Sequence, residues 1–68
     1  MSVKDLDNRF GATAIKMGFI TSEQLIEALS IQVKENVNDG THRLIGSILR
    51  EKGDMTIEQI DQVLKLIL

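Results

Sequence analysis

The chain spells nearly the same text twice. Arg9-Phe10-Gly11, then Gly18-Phe19-Ile20-Thr21-Ser22-Glu23-Gln24-Leu25 and Leu29, return 35 residues later. The second text is Leu44-Ile45-Gly46, then Gly53-Asp54-Met55-Thr56-Ile57-Glu58-Gln59-Ile60 and Leu64. Gly11/Gly46, Gly18/Gly53, Thr21/Thr56, Glu23/Glu58, Gln24/Gln59 and Leu29/Leu64 are identical. Phe10/Ile45, Ile20/Met55, Leu25/Ile60 and Ala28/Val63 are apolar in both. A chain that repeats at a fixed period builds one supersecondary unit twice, and a unit too small to bury its own apolar face packs against its copy.

The apolar spacing is helical throughout, and proline is absent,. Val3, Leu6, Phe10, Ala14 and Met17 fall on one stripe. Gly18 then reads as a left-handed stop, which glycine adopts without steric cost. Thr21 with Gln24 three residues on is a capping box, opening a helix that sets Leu25, Ala28, Leu29 and Gln32 on one face,. Residues 33–43, with Asn36, Asn38, Asp39 and Gly40, read as a loop,. Thr41 is the expected cap of a third helix carrying Leu44, Ile45, Ile48 and Leu49. Gly53 repeats the stop, and Thr56 with Gln59 repeats the capping box. The last helix carries Ile60, Val63, Leu64 and Ile67.

The expectation is an all-α fold, a small four-helix domain of two tandem helix–Gly–Thr-capped-helix hairpins with one shared core. A single domain spans residues 1–68, with repeat one at about 9–32, the loop at 33–43 and repeat two at about 44–67. A chain of 68 residues buries only about 60% of its unfolded surface,. It also has no cysteine for a disulfide,. Short helices are marginal alone, so this packing must hold them.

The net charge of −2 and the scarcity of aromatics argue against nucleic acid, which needs a basic patch or stacking platforms,. No apolar run reaches the roughly 20 residues of a membrane span, and the N-terminus has no signal core, so a cytoplasmic location is expected. The chain is not expected to be an enzyme. It has no nucleophile–base–orienter set, and the glycine-rich stretch Gly40 to Ser47 has no lysine before its serine,. Residues 35–40 resemble a calcium loop in part, but Gly46 stands where the bidentate glutamate belongs,. His42 has no second histidine or cysteine partner for a metal and is expected to face solvent,. No cofactor is expected.

Arg9-Phe10-Gly11, Ile15, Gly18, Ile20-Thr21, Gln24-Leu25, Ala28-Leu29 and Gln32 together resemble the repeat of the N-terminal domain of type II secretion and type IV pilus assembly ATPases. The resemblance covers residues 9–32 well and 44–67 in part. It implies a protein partner, such as a component of a secretion or pilus assembly. The MshE-type members of that family bind cyclic di-GMP through two such motifs in tandem. That would make Arg9, Phe10, Gly11 and Gln32, with Arg43 and Gly46 of the second copy, the ligand residues. Arginine forks two hydrogen bonds to a guanine edge or meets phosphate, and glycine lets backbone N–H groups approach. The second copy departs from the pattern. Leu44 replaces Arg9, Ile67 replaces Gln32, and the spacer is longer.

Several residues also carry a plainer reading. Gly11 and Gly46 fit close helix crossings, since a helix-interior glycine costs up to about 1 kcal/mol that something must offset. Arg9 can equally pair with Asp5, four residues back. Arg50, Glu51, Lys52 and Glu58 read as a solvated face. Ile26, Ile57 and Leu66 lie beyond the main stripes and either widen the core or form an exposed docking patch. The leading expectation is a non-catalytic protein-interaction module, with a cyclic di-GMP sensor as its rival.

Overall fold

The computed structural model describes residues 3–68, with side chains described from Asp5 onward, so the expected core role of Val3 lies outside them. Among the described residues every regular element is a helix: α1 (Val3–Lys16), α2 (Ser22–Asn38), α3 (Ile45–Glu51) and α4 (Ile57–Ile67). None of these is long and apolar enough to cross a membrane.

The helix ends follow from local chemistry. Gly18 and Gly53 stand in the left-handed region at φ 77° and 82°. Gly18 N–H donates to the Ile15 carbonyl at 2.9 Å and Phe19 N–H to the Ala14 carbonyl at 3.0 Å. Gly53 and Asp54 donate likewise to the carbonyls of Arg50 and Leu49, both at 2.9 Å. These are two Schellman stops. Each is followed by a threonine cap. Gln24 N–H donates to Thr21 Oγ1 at 3.1 Å, and Thr21 N–H donates to Gln24 Oε1 at 2.8 Å. The matching bonds of Thr56 and Gln59 measure 3.1 and 3.0 Å. Both expected capping boxes are formed.

Phe10, Ala14, Ile20 and Ala28 meet Ile45, Ile48, Leu49, Met55, Val63 and Ile67 in one buried cluster. The main helix contacts cross between the two halves of the chain: α2 lies on α3, α4 lies on α1, and α1 lies on α3. Exchanging first helix for third and second for fourth maps this set of contacts onto itself.

Three expectations need correction. The segment from 33 is not yet loop, because α2 continues to Asn38. Nothing from Lys34 to Val37 breaks a helix, and the stop is Gly40 at φ 68°. Thr41 does not cap α3. That helix starts at Ile45 after Leu44, which makes no side-chain cap. Its first N–H is instead donated to Asp7 Oδ1 of α1 at 3.1 Å, a cap supplied across the fold,. Leu29 is not a core residue. It is 37% exposed, since the inward face of α2 is centred on the fully buried Ala28.

Candidate functional site

A polar lattice joins α1, α2 and the loop before α3. Asp7 lies three and seven residues before Phe10 and Ala14, so it sits on the inward side of α1,. Besides capping Ile45, its Oδ2 accepts from Gln32 Nε2 at 2.7 Å. The same Gln32 amide donates to the Arg43 carbonyl at 3.0 Å. Arg43 grips Glu35 with two bonds, from Nε at 2.9 Å and from its terminal nitrogen at 2.6 Å, and also pairs with Glu51. The Arg43 hydrogen bonds hold the Glu35 carboxyl below its ordinary value and push the Arg43 guanidinium up. Such a forked pair fixes geometry as well as charge.

A second cluster ties α2 to the α3–α4 turn. Lys52 Nζ lies 2.9 Å from Asp54 Oδ2 and 3.1 Å from Glu27 Oε1. Burial opposes the charge on Lys52, but Asp54 and Glu27 outweigh it and its pKa is raised. Asp54 Oδ2 is buried without an aligned hydrogen bond, so charge attraction from Lys52 is what compensates it. Lys52 is therefore a half-buried tie rather than part of a solvated face.

Beside the lattice runs an apolar groove of about 230 Å³ between α1, α3 and α4. Leu6, Phe10, Leu44, Ile57, Ile60 and Leu64 form its apolar walls. Asp7, Ser47 and Arg50 are its polar lining. Asp7 is committed to Ile45 and Gln32. Arg50 is exposed and makes no ion pair among the described residues. The groove thus couples apolar walls to one uncommitted positive charge.

The residues that the resemblance selects meet only in pairs, Phe10 with Gly46 and Gln32 with the Arg43 backbone, and do not line one common pocket. Phe10 is 3% exposed, its ring packed against Gly46. Gly11 is buried under Leu25. Gln32 and Arg43 are held by the lattice. Arg9 is exposed on α1. Phe10 and Gly46 reach the 230 Å³ groove, whereas Arg43 lines a separate depression with Ile31, Glu35 and Ile48. Reading the sequence missed Asp7, Glu35 and the groove role of Arg50. Asp7 left one trace, an acid placed on an apolar helical stripe. Arg50 left none, because its neighbours come from other helices.

No family model, curated protein or solved structure matches the chain.

Proposed function

We propose that the chain is a non-catalytic protein-interaction module, two tandem copies of one helical hairpin, which docks an amphipathic helix of a partner protein in the α1/α3/α4 groove. The observation that carries this reading is the pairing of apolar walls with Arg50, whose charge is uncommitted among the described residues. It suits a partner helix whose apolar side chains fill the groove and whose carboxylate meets Arg50. Size favours side chains over a nucleotide. Small-molecule sites run to about 300–1,000 Å³, above the roughly 230 Å³ of the groove. The resemblance of residues 9–32 to the head of secretion and pilus ATPases suggests a partner within such an assembly.

The alternative, a cyclic di-GMP sensor, requires Arg43 and Gln32 to leave the partners they hold. One amide-resolved titration separates the two readings. A short amphipathic helical peptide bearing glutamate is expected to shift Leu6, Ile57 and Leu64. Ile57→Glu and Arg50→Glu should each weaken that binding at least tenfold, as a lost anchor of about 1.4 kcal/mol would. Absence of peptide shifts sinks the docking reading. Shifts of Arg9, Gln32 and Arg43 on adding cyclic di-GMP would replace it with the sensor.

A further inference from the structure

The outward face of α2 carries an apolar stripe that the core does not use. Ile26 is 62% exposed, Val33 58% and Val37 77%, with the edge residue Leu29 beside them. Their spacing of three, four and four residues sets them on one side of the helix, opposite the buried Ala28,. A shallow surface lined by Ile26, Leu29, Ser30, Val33 and Lys34 marks the patch.

The scaffold does not require this face to be apolar. In α4 the position 35 residues after Ile26 is Asp61, and that after Ser30 is Lys65. Those two form an ion pair at 3.0 Å on an exposed surface. At these two positions α4 carries an ion pair where α2 carries Ile26 and Ser30, while the residue 35 after Val33, Leu68, is exposed and apolar like Val33 itself. Exposed apolar stripes of this kind mark contact surfaces.

The stripe is its own complement when reversed. Ile26 with Val37, Leu29 with Val33, and Glu27 with Lys34 are pairs whose midpoints all fall within half a residue of Ile31. A two-fold axis there would stack each apolar residue on an apolar residue of a second, antiparallel α2. Glu27 and Lys34 share one flank, being seven residues apart, so the same axis brings each Glu27 to the Lys34 of the other copy. Lys34 makes no ion pair among the described residues. Glu27 already meets Lys52, yet its side chain is 67% exposed and has room for a second cation.

We infer that the outer face of α2 is a self-association surface, pairing antiparallel with the α2 of a second copy of this chain. The paired stripe is about 16 Å long at the helical rise. It offers only four apolar side chains from each copy, a small contact for a protein interface, so the dimer is weak and concentration-dependent,. It leaves the α1/α3/α4 groove open and stands independently of the docking reading.

Sedimentation equilibrium of the full chain tests this. The expected result is a monomer–dimer equilibrium that Val33→Glu abolishes with the helical circular dichroism unchanged. Lys34→Glu should weaken the dimer several-fold, and exchanging both charges (Glu27→Lys with Lys34→Glu) should restore it. The chain has no cysteine of its own. A short bismaleimide should therefore link Ser30→Cys to a dimer several-fold faster than Ala12→Cys on exposed α1. A monomer at every concentration up to about 1 mM, the weak end of specific affinity, overturns the inference. So does a dimer that survives Val33→Glu, a dimer strengthened by Lys34→Glu, or equal linking at positions 30 and 12.

Discussion

Gly11 and Gly46 hold matching positions in the two copies, but their neighbours give them unequal tolerance for a side chain. A Cβ on Gly11 would meet the terminal carbons of Leu25 at 2.9 Å. Leu25 is only half-buried and can swing away. A Cβ on Gly46 would meet the Phe10 ring at 3.1 Å, and that ring is 3% exposed within the core. Overpacking a filled core costs about 1–3 kcal/mol. Replacing a helix-interior glycine by alanine returns up to about 1 kcal/mol. Gly46→Ala is therefore expected to destabilise, while Gly11→Ala stays close to neutral. Urea unfolding of the two variants beside the parent measures the difference, and equal stabilities would refute this account of the Gly46 crossing.

At the scale of elements, α3 depends on its neighbours. It is seven residues long, too short to stand alone,. Its first N–H is capped by Asp7, and the loop before it is held through Arg43 and Glu35. Glu35 has its carboxyl lowered from 4.5 in the fold. A lowered carboxyl stabilises the fold fully above its unfolded value and loses that contribution as pH falls through its folded value. Thermal melting should therefore show Glu35→Gln less stable than the parent at neutral pH. The gap should narrow as the pH drops below 4.5. A gap that stays constant across that window would mean that the Arg43–Glu35 fork adds nothing to the fold. Lys52 acts in the opposite sense. Its pKa is raised above 10.5, so its contribution is complete below that value and is lost only as the pH climbs through the raised one,.

For the whole molecule, the main helix contacts run between halves rather than within them. A chain cut in the loop after Gly40 should give two pieces that are largely unstructured alone. Each piece has lost the surfaces that cover its apolar faces. Mixing residues 1–40 with residues 41–68 should restore helical circular dichroism in a concentration-dependent way. A fully helical fragment 1–40 on its own would show that one hairpin is self-sufficient.

The amino-acid sequence by itself determined where helices stop and restart at Gly18, Thr21, Gly53 and Thr56. It also determined most of the core stripe. Those decisions are made by hydrogen bonds that reach no more than five residues and by the period of the helix, so they are written locally. The end of α2 is not marked where the asparagines cluster, because a helix tolerates them; α2 runs on to Asn38, just before Gly40 at φ 68°. Only the tertiary structure decided the start of α3, the crowding of Gly46 rather than Gly11, the tying of Gln32 and Arg43 into a lattice, and the groove beside Arg50. Each of those depends on a partner from another helix, as when Asp7 caps Ile45 from 38 positions away. Local pattern carries no signal for such a pair until packing brings the two together.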